Sequence, residues 1–399
     1  MTTPSLPAYM LTYPTVFAVG DEYHIFVPFD AEVIVWIKVG EHTYFDHCNG
    51  ILRSNTNMHR MILPMSVLDE AREYTVVYRK MIERKPYYPT SEDERTLTLP
   101  FKPVKTEGEI HLYHIADAHN LVAEPIAAGQ LFGDELDLLI LNGDIPNHSG
   151  DVRNFNAICE IASGITKGQR PVAFARGNHD TRGIHAEDMP NYIPIKDGRT
   201  YYTFRAGCVW GLLMDCGEDK DDSSIEYSHT VCFHQFRLAE TEYLKEVIAN
   251  ANKEFDAPGV KYRLIVSHIG FTHIQPTPFD IEQELYGTWT RLAAEMKPDL
   301  LLYGHHHTVR ICPPGCDFDH QGQPCTAIIG SKPVFDREKG NSFIGCGITL
   351  YPDGTKRVVF NDDKGEILTD EVVKQKRKAK AEPRLCLCSG IIIHTNIFV

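Results

Sequence analysis

The stretch VAFARGNHDTRG, residues 172–183, joins two segments of opposite character. Its first four residues are apolar and are typical of a buried β-strand, whereas Asn178, His179 and Asp180 follow only a few positions later. Open α/β sheets place their functional groups at the carboxyl ends of their strands. The stretch therefore predicts an α/β fold with a functional site at this strand end.

Four other apolar runs end in the same kinds of side chain. These are Asp117 and His119 after IHLYHI, Asp144 after LDLLILN, His268 after YRLIVS, and His305, His306 and His307 after PDLLLYG. Carboxylate, amide and imidazole groups are suitable ligands for manganese, iron and zinc. If these strands are neighbours, the side chains meet at one edge of the sheet, and they are numerous enough to hold two metal ions.

The rest of this region has the alternation of an α/β domain. The segment 236–255, FRLAETEYLKEVIANANKEF, has the spacing of an amphipathic helix, with Leu244 and Val247 on its apolar face. Strand and helix patterns alternate after residue 109, and the pattern from 325 to 360 is again β.

The pattern before residue 99 is different. Residues 9–98 contain short strands with turn signals, and no long helical periodicity interrupts them. A proline-containing segment, 99–109, has the composition of a linker. We therefore predict a small all-β domain of the fibronectin III or immunoglobulin type at 1–104, an α/β domain at 105–365, and a flexible C-terminal tail at 366–399.

Composition narrows the classes of function. The chain has 54 acidic and 40 basic residues among 399, and the net charge of -14 disfavours a general role on nucleic acids. Residues 1–20 lack Lys and Arg, and no apolar run is long enough to cross a bilayer. Eleven scattered cysteines favour a reducing compartment, so we expect the cytoplasm.

The ordered set Asp-x-His, Gly-Asp, Gly-Asn-His-Asp, a single His, and Gly-His-x-His resembles the motifs of the calcineurin-like metallophosphoesterases, over about residues 110–350. The resemblance implies a two-sheet α/β sandwich, flanked by helices, that hydrolyses phosphate esters with two metals about 3.5 Å apart. It further implies the following ligands: Asp117, His119 and His307 for the first metal, Asn178, His268 and His305 for the second, and Asp144 for both.

The all-β region in front resembles the fibronectin-like domain of the purple acid phosphatases. Two positions depart from the motifs of the purple acid phosphatases. His119 stands where that family has another residue, and Asn147 stands where Gly-Asp-x-x-Tyr would place the tyrosine that binds ferric iron. The purple iron site is therefore not expected, and the metals stay open among manganese, iron and zinc.

The resemblance also implies a mechanism. A hydroxide held between two cations is a nucleophile at neutral pH, and His179 faces the substrate as the general acid. We expect Asp180 to orient that imidazole. The predicted activity is hydrolysis of phosphate monoesters or small phosphodiesters, on a small phosphorylated substrate. Two alternatives stay open, a nuclease-type phosphodiesterase and a non-catalytic metal-binding scaffold; a homo-oligomer is compatible with either.

Two further groups have less specific patterns. For Arg176 and Arg182, surface ion pairing is favoured over contact with a phosphate. Cys312, Cys316, His320 and Cys325 have a spacing that loosely resembles a zinc site. Because no CxxC pair is present, we expect them to be ordinary structural residues.

Overall fold

The computed structural model describes residues 4–374, which form mainly β-strands with α-helices packed beside them. The strands are β1 Thr15–Val19, β2 Glu22–Pro28, β3 Val33–Val39, β4 His42–Phe45, β5 His47–Cys48, β6 Ile51–Leu52, β7 Met58–Pro64, β8 Glu73–Glu83, β9 Thr90–Ser91, β10 Arg95–Pro100, β11 Ile110–Ile115, β12 Leu138–Asn142, β13 Pro171–Ala175, β14 Tyr202–Ala206, β15 Val209–Met214, β16 Tyr262–Ser267, β17 Leu300–Tyr303, β18 Thr308–Cys312, β19 Ala327–Val334, β20 Ser342–Leu350, β21 Thr355–Asp362 and β22 Ile367–Lys374. The helices are α1 Met65–Ala71, α2 Ala123–Ala128, α3 Asn156–Thr166, α4 Phe233–Ala249 and α5 Gln283–Met296.

Fifteen strands form a sheet with two halves that meet at β19. One half has the order β22-β21-β20-β11-β12-β13-β1-β2-β7, and the other has the order β14-β15-β16-β17-β19-β18. Residues 327–329 of β19 pair in parallel with β17, and residues 332–334 pair antiparallel with β20. The predicted two-sheet α/β fold is confirmed.

The strands that lead into the predicted site are parallel and buried. β11, β12 and β13 are parallel neighbours in one half, and β15, β16 and β17 are parallel neighbours in the other. Every residue of β12 and β13 is buried, which explains their nearly continuous apolar sequences. Their carboxyl ends therefore deliver consecutive loops to one place.

Helices cover both halves. Helix α3 packs on β1, β2 and β12. Helices α4 and α5 pack on each other and bury Leu244, Val247 and Trp289 against the second half. The helix predicted within 236–255 is confirmed, although α4 begins at Phe233 and ends at Ala249.

The N-terminal region is all-β apart from the short helix α1. Strands β3, β4, β8, β9 and β10 form a separate sheet, and Tyr74, Val76 and Tyr78 are buried on β8. Strands β1, β2 and β7 instead extend the large sheet, because β1 pairs in parallel with β13. The domain boundary near residue 104 stays a prediction.

The C-terminal end differs from the expected tail. Residues 367–374 are β22, which pairs antiparallel with β21, so the sheet continues past residue 366. The rest of the predicted tail, residues 375–399, lies outside the described residues. It contains Cys386, Cys388 and most of the basic run 374–380. Within residues 4–374, no helix is long and apolar enough to cross a membrane.

Candidate metal centre

Main-chain hydrogen bonds join the loops that follow the parallel strands. The N–H of Asp117 donates to the oxygen of Gly143 at 3.0 Å, and the N–H of His119 donates to the oxygen of Asp144 at 2.9 Å. Between the two halves, the N–H of His305 donates to the carboxylate of Asp117 at 2.9 Å. These contacts fix the loops relative to one another before any ligand binds.

The structure brings the predicted ligand side chains together. In each of three groups, the candidate ligand atoms lie within 4.8 Å of one another: Asp117 with His119 and His307, Asp144 with His268 and His305, and His119 with Asp144 and His179. Asn178 Oδ1 lies 3.0 Å from His305 Nδ1, so this amide joins the second group. Asp144 Oδ2 lies 3.0 Å from His268 Nε2 and 4.0 Å from His119 Nε2, between the first and second groups.

The backbone of these loops is strained. A left-handed backbone, with φ between 46° and 68°, is found at Asp117, His119, Asp144, His305 and His307. This conformation is costly for a residue with a side chain, and it clusters at functional sites. Gly177 is required for a different reason, because a Cβ there would lie 2.3 Å from Asp144 Oδ1.

Several ring nitrogens are arranged for a cation. His268 Nδ1 lies 2.6 Å from the main-chain oxygen of Asn142, so Nδ1 carries a proton and Nε2 faces the carboxylates. His119 Nδ1 is buried and has no hydrogen-bond partner, and His268 Nε2 is buried with Asp144 Oδ2 at 3.0 Å. His119 Nε2 and His307 Nε2 lie 3.0 Å apart, facing each other. Buried ring nitrogens beside buried carboxylates fit a metal pair.

The electrostatics of the cluster also favour positive charge. Burial raises the pKa of Asp117 to about 7. Burial acts in the same direction on Asp144, but the positive charges of His268 and its histidine neighbours outweigh it, and the pKa lies below its usual range. Burial lowers the pKa of His268, but Asp144 and Asp117 outweigh that effect and raise it to about 10. Two buried carboxylates thus require a nearby cation, whether a proton or a metal.

His179 lies at the rim of the cluster. Its ring centre is 4.6 Å from that of His119. Its Nδ1 lies 2.8 Å from the main-chain oxygen of Asn147, and its Nε2 lies 3.2 Å from Arg182 Nη1. Because a carbonyl oxygen only accepts and a guanidinium only donates, Nδ1 carries a proton and Nε2 accepts a hydrogen bond from Arg182.

Asp180 does not make the contact that we expected. It is fully buried, and its Oδ2 accepts hydrogen bonds from the N–H groups of Gly177 at 2.7 Å and Asp144 at 3.3 Å. The carbonyl of Asn147, not Asp180, orients the imidazole of His179. Asp180 instead holds the backbone of the loop that carries Asn178 and His179.

Asn142 is a residue of the site that was not predicted from the sequence. This buried residue ends β12, and its Nδ2 donates to the oxygens of Ser267 and Leu302 at 3.2 Å each, across the two halves. The same Nδ2 lies 3.1 Å from His114 Nε2. The available signal was a polar residue at the end of an apolar strand, immediately before Gly-Asp.

The structure also shows the contacts of the two arginines and the position of the Cys/His group at 312–325. The predicted ion pairing is confirmed, because Arg176 Nε lies 2.8 Å from Asp215 Oδ2 and Arg182 Nη2 lies 2.7 Å from Glu218 Oε2. Both partner carboxylates are buried, so these are not surface pairs. Among the described residues, the groups that could hold a metal do not include Cys312, Cys316, His320 or Cys325.

Comparisons with known proteins agree with this geometry. The sequence profile of the calcineurin-like phosphoesterases matches residues 110–309, a range that includes every candidate ligand. No curated protein matches the chain. Purple acid phosphatase PPD1 from yellow lupin (Lupinus luteus) seeds is similar in structure, with a TM-score of 0.56 and 13% identity over 94% of this chain and 75% of that one.

The structure of PhoD is similar to the same extent, with a TM-score of 0.54 and 11% identity over 94% of each chain. At these identities the likeness concerns the fold, and it extends over the N-terminal strands as well. The family match implies a dinuclear metal centre and hydrolysis of phosphoester bonds. The chain is a metal-dependent phosphoester hydrolase and belongs to the calcineurin-like phosphoesterase family.

Proposed function

We propose that this chain hydrolyses phosphate monoesters or small phosphodiesters at two metal ions. The supporting observation is the position of Asp144 between two groups of ligand atoms. In this proposal the first metal is held by Asp117, His119 and His307, the second by Asn178, His268 and His305, and both by Asp144. These donors are compatible with manganese, iron or zinc.

The metal pair, when bound, would acidify water and neutralise charge on the phosphoryl oxygens. The residues of the chain then have distinct tasks. His268 presents Nε2 because its Nδ1 is held by Asn142, and Asp180 keeps the loop after β13 in place.

His179 is the proposed general acid, and Nε2 is the atom that transfers the proton. Arg182 Nη1 donates towards this nitrogen in the described state. A protonated Nε2 would face Arg182 donor to donor, so the proposed acid requires the Arg182 contact to be exchanged for one with the leaving oxygen of the ester. The Nδ1 contact with Asn147 limits the ring to small rotations.

The compartment and the partners are also proposals. The described cysteines are free thiols, which supports a reducing compartment such as the cytoplasm. The net charge of -14 supports a small phosphorylated substrate over a long nucleic acid.

Metal analysis combined with a hydrolysis screen tests the proposal. We expect two metals per chain and turnover of 4-nitrophenyl phosphate or bis(4-nitrophenyl) phosphate. Preferred cleavage of single-stranded DNA would support the nuclease-type alternative. Two bound metals without turnover of any of these esters would support the non-catalytic scaffold.

A further inference from the structure

An open cleft of about 820 Å³ lies beside Arg182, the residue that contacts His179. Its walls come from residues 181–187, which follow the histidine, and from residues 226–236, which lead into α4. Arg182 connects the cleft to the metal centre, because it lines the cleft and its Nη1 lies 3.2 Å from His179 Nε2. The cleft is therefore adjacent to the side chain that contacts the proposed proton donor, His179.

Apolar and aromatic side chains form much of the cleft wall. Ile184 is 80% exposed at its edge. Val231, Phe233 and Phe236 line it and are only partly buried. Apolar groups exposed around a concave surface are typical of a ligand site.

The charges of the cleft disfavour an anionic occupant. Arg182 is paired with Glu218 and with Asp219, at 2.7 and 2.9 Å. Arg176 is paired with Asp215 and lies over the rings of two cleft phenylalanines. Glu226 is paired with Lys220 at 3.1 Å. With the ion-pair partners included, three cations, Arg176, Arg182 and Lys220, face five carboxylates, those of Glu187, Asp215, Glu218, Asp219 and Glu226. A second phosphate or carboxylate on the substrate would therefore meet net negative charge.

We propose that the cleft binds the leaving group of the substrate and selects esters whose leaving group is apolar or aromatic and carries no negative charge. This inference rests on the proposed function, because a general acid at His179 places the leaving oxygen on the side of the cleft. Nucleotides and sugar bisphosphates are then poor substrates, and hydrophobic monoesters are good ones.

Kinetics with two matched esters test whether the cleft selects an apolar leaving group. Phenyl phosphate and 4-butylphenyl phosphate have leaving groups of similar basicity, so the ratio of their kcat/KM values reports contacts of the butyl group. We expect the wild type to prefer the butyl ester by about 10-fold or more. The double variant Ile184→Ser/Val231→Ser should reduce this preference to about 2-fold or less, with the inhibition constant of inorganic phosphate unchanged.

The control is Ile51→Ser, which removes an equally exposed isoleucine from the β5–β6 hairpin. This variant should keep the wild-type preference. An equal kcat/KM for the two esters in the wild type, a preference for ATP over both, or an unchanged preference in the double variant would overturn the proposal.

Thiol labelling tests the cleft independently of turnover. Cys232 is exposed and lines the cleft, whereas Cys48 is exposed outside it. With iodoacetamide and peptide mapping, 4-butylphenol should slow alkylation of Cys232 and leave Cys48 unchanged. Equal rates at Cys232 with and without the phenol would contradict the proposed site. Protection of Cys232 in a protein without phosphoesterase activity would contradict the proposed function and still support a binding cleft.

Discussion

The ring of His268 is held by the main-chain oxygen of Asn142, with 2.6 Å between Nδ1 and that oxygen. His268 follows β16 in one half of the sheet, and Asn142 ends β12 in the other. One contact therefore fixes both the tautomer of a candidate ligand and the distance between the two halves. Hydrogen bonds of this kind orient metal-binding imidazoles.

The variant Asn142→Leu tests the side-chain hydrogen bonds of Asn142 at this junction, because it keeps the main-chain oxygen that holds His268. It removes the amide that donates to the buried oxygens of Ser267 and Leu302, so we expect the free energy of unfolding to fall by about 2–4 kcal/mol. Urea unfolding of the metal-free protein measures this change. The exposed residue Asn252 provides the control variant Asn252→Leu, which should have almost no effect. Equal stability of the two variants would show that the side-chain hydrogen bonds of Asn142 contribute little to the free energy of unfolding.

Asp144→Asn tests the shared ligand. The change removes one negative charge between both groups of ligand atoms, so both metals should bind more weakly. By contrast, His307→Ala should weaken mainly the first metal. Metal titration of the purified variants distinguishes the two results. Wild-type affinity for two metals in Asp144→Asn would exclude a bridging role.

His179→Ala tests the general acid. The variant should retain its metals and lose turnover by about 10²- to 10⁴-fold, because only proton transfer is affected. The loss should be larger for phenyl phosphate than for 4-nitrophenyl phosphate, whose leaving group needs little protonation. The control is His306→Ala, which changes a neighbouring histidine outside the groups of ligand atoms. Loss of metal in His179→Ala would instead assign His179 to the ligands.

The sequence predicted which side chains meet at this edge of the sheet, because each follows an apolar strand and parallel strands in a buried sheet bring their carboxyl ends together. It did not predict the contact between His179 and Asn147, since that depends on the path of two loops. Nor did it predict the pairing of β1 with β13, because long-range strand pairing leaves no local pattern in the sequence.

A separate prediction concerns acid stability. His24 is 2% exposed on β2, and burial, with smaller effects from Arg60 and Lys196, lowers its pKa to about 3. The unfolded chain therefore binds a proton below about pH 6.5 that the folded chain binds only near pH 3. The contribution of neutral His24 to the free energy of unfolding is fully present above about pH 6.5. It should fall by up to about 1.4 kcal/mol per pH unit as the pH decreases towards 3.

His24→Phe should reduce this pH dependence, because the substituted ring has no proton to bind. Urea unfolding of the metal-free protein at pH 7 and pH 5 measures the difference. The matched control is His42→Phe on the exposed strand β4, which should keep the wild-type pH dependence. If His24→Phe and the wild type lose the same free energy between these pH values, His24 is not the group responsible.

Two metals held by these residues should carry out phosphoester hydrolysis, and stepwise loading of the metal-free protein tests this. Manganese is added in known equivalents, and bound metal and hydrolysis of 4-nitrophenyl phosphate are measured on the same samples. We predict that activity follows occupancy of the second site and reaches its plateau at two metals per chain. Full activity with one metal or none, or two bound metals without hydrolysis of any monoester or diester, would contradict the account.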